Sequence, residues 1–339
     1  MGILEGLLGP MPARARSRSA PTPPEVTMSD PAPVKIGALV WNQYTDWPRM
    51  REVGRRVDEL GYDSLWTWDH LYPIIGDPHG PFLEGYLVLA AWSQQTSGPS
   101  IGLMVGANTF RNPGLVVKMI TTLDHLSEGR AVLGIGAAWF ETEHTAFGIE
   151  FGSGFGERLD WLDESVELMH GMLRDGVASA RGERYHAVEA RNDPAPLQPH
   201  LPILIGGAGE KKTLRTVARY ADAWNVAMVT PEQAAAKEAV LRRWCDELDR
   251  DPDEIERTLS LGPMIIRDDP AEAAATIARL KASNPKMERE VLVGSGTQIT
   301  DRCAEYVAAG FRHLIFHLPT PYDEETLERF ATEVQPALD

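Results

Sequence analysis

The sequence predicts an α/β architecture, a closed (β/α)8 barrel of the TIM type, on three observations. Eight short aliphatic or β-branched runs alternate with longer helical patterns along the chain from Val34 onward. Each run is apolar nearly throughout, as parallel strands buried on both faces are. Helical stretches close on a glycine just before the next strand, at Gly61 and Gly310, where a left-handed C′ residue ends a helix.

Taken in order, the strand candidates are 34–40 (VKIGALV), 64–68 (SLWTW), 101–105 (IGLMV), 131–135 (AVLGI), 202–205 (PILI), 223–226 (AWNV), 259–266 (LSLGPMII) and 313–318 (HLIFHL). Between the first two, Met50, Val53, Val57 and Leu60 recur at helical spacing within 47–61. Residues 211–221 and 299–310 read as helices in the same way. Eight units exceed what a doubly wound sheet usually holds, which favours the barrel. Residues 137–157 and 174–200 are too long for ordinary connections. They are expected to be inserted loops, one over the active face after strand four and one before strand five.

Composition narrows the function classes. Hydrophobic content of 43% supports a sizeable core, and 49 acidic against 33 basic residues give a formal charge of −16. That balance argues against a nucleic-acid surface and fits a small-molecule-handling protein. Two cysteines, Cys245 and Cys303, make no disulfide framework, so a cytoplasmic setting is expected. Residues 1–33, rich in Pro, Arg, Ser and Ala, read as a disordered tail, with Met28 as an alternative start and residues 34–339 as the barrel. No later run approaches a membrane span.

Barrel chemistry sits on the loops after the strands' C-terminal ends, which directs attention to six places. These are Trp41-Asn42-Gln43, Asp69-His70, Gly106-Ala107-Asn108, Gly136 to His144, Gly206 to Lys212, and Leu318-Pro319. His70 has the chemistry for acid–base work, and equally for a structural hydrogen bond at a strand end. Asp69, His70, Asp77, His79, Glu141, Glu143 and His144 are possible metal ligands. The chain has neither a His-X-His on its first strand nor a helical H-E-x-x-H, so no metal site is expected.

The stretch PILIGGAGEKKTLR, Pro202–Arg215, resembles a nucleotide loop without being one. A Walker A loop needs Gly before Lys-Ser/Thr, where Lys211 stands; a dinucleotide fingerprint needs a third Gly, where Lys212 stands. Backbone N–H groups at a helix start, beside Lys211, Lys212 and Arg215, favour a phosphate over solvated lysines.

Five segments, in order, resemble the bacterial luciferase-like superfamily, and within it the oxidoreductases that use the deazaflavin coenzyme F420. They are GYDSLWTWDH (61–70), ANTFRNP (107–113), TTLDHLSEGRAVLGIGAAWFETEHTAFG (121–148), GERLDWLDE (156–164) and PILIGGAGEKKTLRTVARYADAWN (202–225). The resemblance implies a (β/α)8 barrel with the cofactor's tricycle at its mouth and the phosphate after strand five. Asp69 and His70 would then lie beside the ring, with His70 the catalytic proton donor or polarising group. Met104 and Val105 would back the ring across a non-prolyl cis peptide, and Ala137, Ala138 and Trp139 would touch its edge or ribityl chain. Gly206, Gly207, Ala208 and Gly209 would hold the phosphate, and Lys211 and Lys212 the anionic tail that separates F420 from FMN.

The leading expectation is therefore an F420-dependent oxidoreductase moving hydride between the cofactor and a small organic substrate, as a homodimer by analogy. The alternatives are an FMN-dependent two-component monooxygenase, a non-catalytic flavin-binding barrel and a metal-dependent barrel hydrolase. Met104 stands where true luciferases have Cys, which disfavours light emission. Ile74 and Trp139 stand where the family's sugar-phosphate dehydrogenases have Trp and Glu, which disfavours glucose 6-phosphate.

Overall fold

A computed structural model describes residues 33–338. The expected tail, apart from Pro33, lies outside them. Eight strands form one parallel ring: β1 Lys35–Val40, β2 Ser64–Thr67, β3 Ser100–Leu103, β4 Ala131–Gly136, β5 Ile203–Gly206, β6 Ala223–Ala227, β7 Glu256–Ile266 and β8 His313–Leu318. Each pairs with the next, and β8 pairs with β1, from Lys35↔His313 to Val40↔Leu318, closing the barrel. Predicted and observed strand ends agree within a few residues, with β7 starting three earlier.

The unbroken apolar runs have the expected cause. Ile36, Ala38 and Val40 of β1, and Leu314, Phe316 and Leu318 of β8, pack in the larger core cluster with residues of the helices around the ring. Leu39 and Ile315, one position out of phase, belong to a second cluster with Trp41, Trp66 and Trp68 inside it. Helix Trp47–Glu59 buries Met50, Val53 and Val57, is capped by Asp46, which accepts from Arg49 N, and ends at Gly61 with φ +74°. Gly310 likewise follows helix Gly296–Ala308 at φ +94°.

Three excursions interrupt the regular βα alternation. Residues after β4 form a short helix, Glu141–Phe147, before the long helix Phe155–Asp175. An antiparallel hairpin, Val177–Arg181 with His186–Arg191, precedes β5. The third lies after β7, where a strand at Leu292–Gly294 pairs with Met264–Ile266 beyond helix Pro270–Ser283. The sequence reading identified no element there. Among the described residues, no helix is long and apolar enough to cross a membrane.

The tightest backbone approach is between β3 and β4. A Cβ on Gly134 would lie 1.9 Å from the Leu103 carbonyl oxygen, an atom of the ring that no side-chain rotation can move. Gly134→Ala is therefore expected to destabilise the barrel by roughly 3 kcal/mol or more, read as a lower urea midpoint. Gly148→Ala, where an added Cβ meets nothing within 4 Å but φ is +66°, should show a smaller loss.

Candidate functional site

The strands' C-terminal ends open into a cavity of about 390 Å³, within the range of small-molecule sites. It brings together Asp69, His70, Met104, Val105, Ala137, Ala138, Trp139, Gly206, Gly207, Ala208 and Gly209. Lys211 and Lys212 do not line it. Lys212 turns instead to helix Phe155–Asp175, with Nζ 2.6 and 2.7 Å from the Asp160 carboxylate and 3.0 Å from the Gly156 oxygen.

At the end of β2, Asp69 is only 2% exposed. Its carboxylate accepts both guanidinium branches of Arg111, at 2.7 and 3.0 Å, and the Ala107 N–H at 2.8 Å. Burial works against the Arg111 charge, but Asp69 outweighs it and holds the guanidinium pKa above its usual value. Arg111 also donates to Glu84 and lies over the Tyr86 ring. Arg111 stands in the quoted ANTFRNP segment, yet sequence reasoning gave it no role.

His70 Nδ1 is 2.7 Å from Glu143 Oε1, and Glu143 Oε2 accepts the Leu71 N–H at 2.8 Å. Glu143 itself is 1% exposed. A carboxylate has no proton to give, so this contact assigns the donor role to His70 Nδ1 and leaves Nε2 for the pocket. Trp139, 57% exposed, stands edge-on to His70 with centroids 5.7 Å apart. His144, read as a metal candidate, bonds Thr109 Oγ1 and the Phe140 oxygen. No group of three potential metal-binding side chains occurs among the described residues.

The wall at the ends of β4 and β5 is mostly backbone. The Met104–Val105 peptide is cis, and Val105 packs against Gly136 and Gly206. A Cβ at either glycine would come within 2.7 or 2.9 Å of the Val105 methyls, and one on Gly209 within 2.7 Å of Thr213 Oγ1. Gly207, at φ +130°, gives its N–H to the Asn225 oxygen. Its N–H is thus taken up within the β5–β6 connection, and Ala208 and Gly209 carry the amides beyond it. Asn42 and Gln43, fully buried, tie down the chain after β2: Asn42 donates to Trp68 and Leu83, Gln43 to Ile75.

Two further lining residues escaped the sequence reading, Arg289 and His317. His317 lay in view as a polar residue in the apolar run HLIFHL; nothing local marks Arg289. Burial, and then the nearby Arg289 charge, pull the His317 pKa down from 6.5 to about 3.

A closed (β/α)8 barrel with an apolar pocket at its C-terminal mouth, walled by glycine turns and a carboxylate-backed histidine, is the architecture of a cofactor- or substrate-binding barrel. The luciferase-like monooxygenase model matches residues 30–290, and the chain belongs to that family. Among relatives, an F420-dependent glucose-6-phosphate dehydrogenase of Kineococcus radiotolerans is 27% identical, over 90% of this chain and 97% of the relative. The same-named protein of Amycolatopsis mediterranei is 24% identical, over 85% and 93%. Of solved structures, an F420-dependent secondary alcohol dehydrogenase with an F420–acetone adduct superposes with TM-score 0.77 at 19% identity, over 91% of this chain and all of that one. Monooxygenase RslO1 of Streptomyces bottropensis gives 0.73 at 19%, over 90% of this chain and 100% of that one. These two establish likeness of fold.

The low pKa of His317 makes a stability prediction with a definite sign. Below pH 6.5 the unfolded chain takes up a proton that the folded chain refuses until about pH 3. Stability from this group is thus full above pH 6.5 and falls as pH drops towards 3, by at most about 1.4 kcal/mol per unit. Denaturant titrations at pH 7, 6, 5 and 4 should give a shallower decline for His317→Gln than for the parent. Parallel declines would contradict the assignment.

Proposed function

We propose that this protein is an F420-dependent oxidoreductase transferring hydride between the deazaflavin and a small organic substrate. The observation carrying the reading is the pairing of the His70–Glu143 dyad with a small-residue wall of Gly136, Ala137, Ala138 and Gly206 in one apolar cavity. The fit to a flat tricyclic group rests on that wall, since any Cβ on Gly136 or Gly206 would collide with Val105. The names of the full-length relatives support F420 over FMN. When bound, F420 supplies a ring carbon that gives or takes hydride.

The chain's residues do the remainder. Glu143 fixes the His70 ring and its tautomer, so that Nε2 accepts a proton from an alcohol undergoing oxidation or, once protonated, returns it to a carbonyl oxygen. Asp69, neutralised by Arg111, holds the Ala107 N–H and so the turn after Val105. Met104 and Val105 would back the ring, while Trp139 and Phe155, both more than half exposed, line the cavity and would restrict water there. The amides of Ala208 and Gly209, ahead of helix Thr213–Tyr220, would hold the phosphate. Lys211 and Lys212 lie outside the cavity wall and serve the anionic tail only if Lys212 leaves Asp160.

The same reading makes residues 34–339 one barrel domain of a homodimeric, cytoplasmic enzyme. Ile74 and Trp139, standing where the family's sugar-phosphate dehydrogenases have Trp and Glu, disfavour glucose 6-phosphate as its substrate.

Titration with F420 and FMN tests the cofactor. F420 should bind at micromolar concentration and FMN at least about tenfold more weakly; FMN binding without F420 binding would favour the two-component monooxygenase instead. His70→Ala should slow hydride transfer by about 10²–10⁴-fold while changing F420 affinity little. Glu143→Gln should slow it less and shift its pH profile. Equal losses of rate and binding in His70→Ala would make His70 a structural residue.

A further inference from the structure

The wall facing the glycine turns carries two polar groups that the protein leaves unmet. In a ring of eight strands β8 lies across from β4, and β1 from β5. On that far side His317, near the end of β8, is 5% exposed, and neither ring nitrogen has a hydrogen-bond partner among the described residues. Trp68 and Trp41 stand near-perpendicular to it, at 5.9 and 6.2 Å between centroids, and offer ring faces and edges rather than an acceptor. A buried group left unmet is destabilising, commonly by about 1–3 kcal/mol, and natural cores rarely keep one without a use.

Arg289 presents the matching anomaly. Among the described residues it is the only Lys or Arg lining the cavity. Arg111, by contrast, has Asp69 and Glu84, and Arg267 has Asp323. No carboxylate lies within ion-pairing distance of Arg289 among the described residues, and its guanidinium donates to the Met228 sulfur. Partial burial lowers its pKa. The cavity's own carboxylate, Asp69, is already occupied by Arg111. A half-buried guanidinium lining a mostly apolar pocket, close enough to His317 for its charge to act on that ring, is incomplete without an anion.

We propose that Arg289 and His317 form a subsite for the carboxylate of a small, otherwise apolar substrate of the oxidoreductase proposed above. The inference rests on that reading for the bound cofactor, not for the anion. Charge sets the class: one guanidinium and one neutral imidazole balance a single negative charge. A phosphate monoester, near −2 at neutral pH, would leave charge uncompensated in a pocket that is mostly hydrocarbon. Leu39, Trp68, Ile74 and Ile75 supply that hydrocarbon. The substrate's reacting carbon is then placed between His70 and the glycine wall, and its carboxylate on the β8 side.

Calorimetry on F420-saturated protein tests this with benzoate, benzamide and phenyl phosphate. Benzoate is expected to bind at least about tenfold tighter than the other two, about 1.4 kcal/mol. Arg289→Gln should bring benzoate to the benzamide level while benzamide and F420 affinities stay within about twofold; Arg289→Lys should keep part of the preference. His317→Asn should weaken benzoate more than benzamide, and thermal melts of each variant report folding. Equal binding of benzoate and benzamide, or an undiminished preference in Arg289→Gln, would overturn the subsite. Tighter phenyl phosphate would overturn the carboxylate assignment. Failure of F420 to bind the parent protein removes the cofactor reading alone, because the benzoate–benzamide comparison can then be run without it.

Discussion

A carboxylate buried to 2% exposure is tolerable only if its charge and lone pairs are answered, and the organisation of this active face follows from how Asp69 is answered. Arg111 meets it with both guanidinium branches and the Ala107 amide meets it from the turn after β3. That fixes the end of β2 against the start of the next βα connection. His70, the following residue, inherits its position from this junction and its ring orientation from Glu143 on the helix after β4. Residues from three successive βα units are thereby locked into one geometry. Loops alone would not hold it, because the reacting groups stand on surface connections whose mobility must be removed by such bonds.

On the other wall the constraint is the absence of side chains. Val105 fills the space where Cβ atoms of Gly136 and Gly206 would be, and Thr213 fills that of Gly209. The pocket is therefore smooth because three glycines accept neighbours at near-contact distance, and its flatness is a packing result. Gly207 illustrates the difference between a glycine kept for shape and one kept for a ligand. Its φ of +130° and its bond to Asn225 make it part of the β5–β6 connection.

The barrel was legible in the sequence because each strand is buried on both faces and so reads as an unbroken apolar run, as in HLIFHL and AVLGI. Helix ends were legible because Gly61 and Gly310 must take positive φ. The cluster of Asp69, His70, Ala137 and Gly206 was reachable from motif order, since a barrel brings all strand C-termini to one rim. Pairings across that rim were not. Glu143 stands 73 residues from His70, and nothing in FETEH says which acid turns inward. Nor was the partner of Lys212: a lysine after a glycine turn is placed by helix geometry, and here that geometry delivers it to Asp160. Arg289 sits after β7 in an irregular segment with no periodicity to read.

The molecule carries a formal charge of −16, and both its proposed ligands are anions. Surface charges beyond about 8–10 Å are screened at physiological salt, so the acidic exterior acts mainly on encounter rate. Inside the cavity the local field decides. Asp69 is cancelled by Arg111 and Glu143 is shared between the His70 ring and the Leu71 amide. Among the described residues, what remains without a carboxylate partner on the lining is the positive charge of Arg289, partly screened because the side chain is only half-buried. An acidic exterior and a local cationic group are therefore compatible, and at the substrate subsite a compact monoanion matches the single charge of Arg289 better than a more highly charged group would.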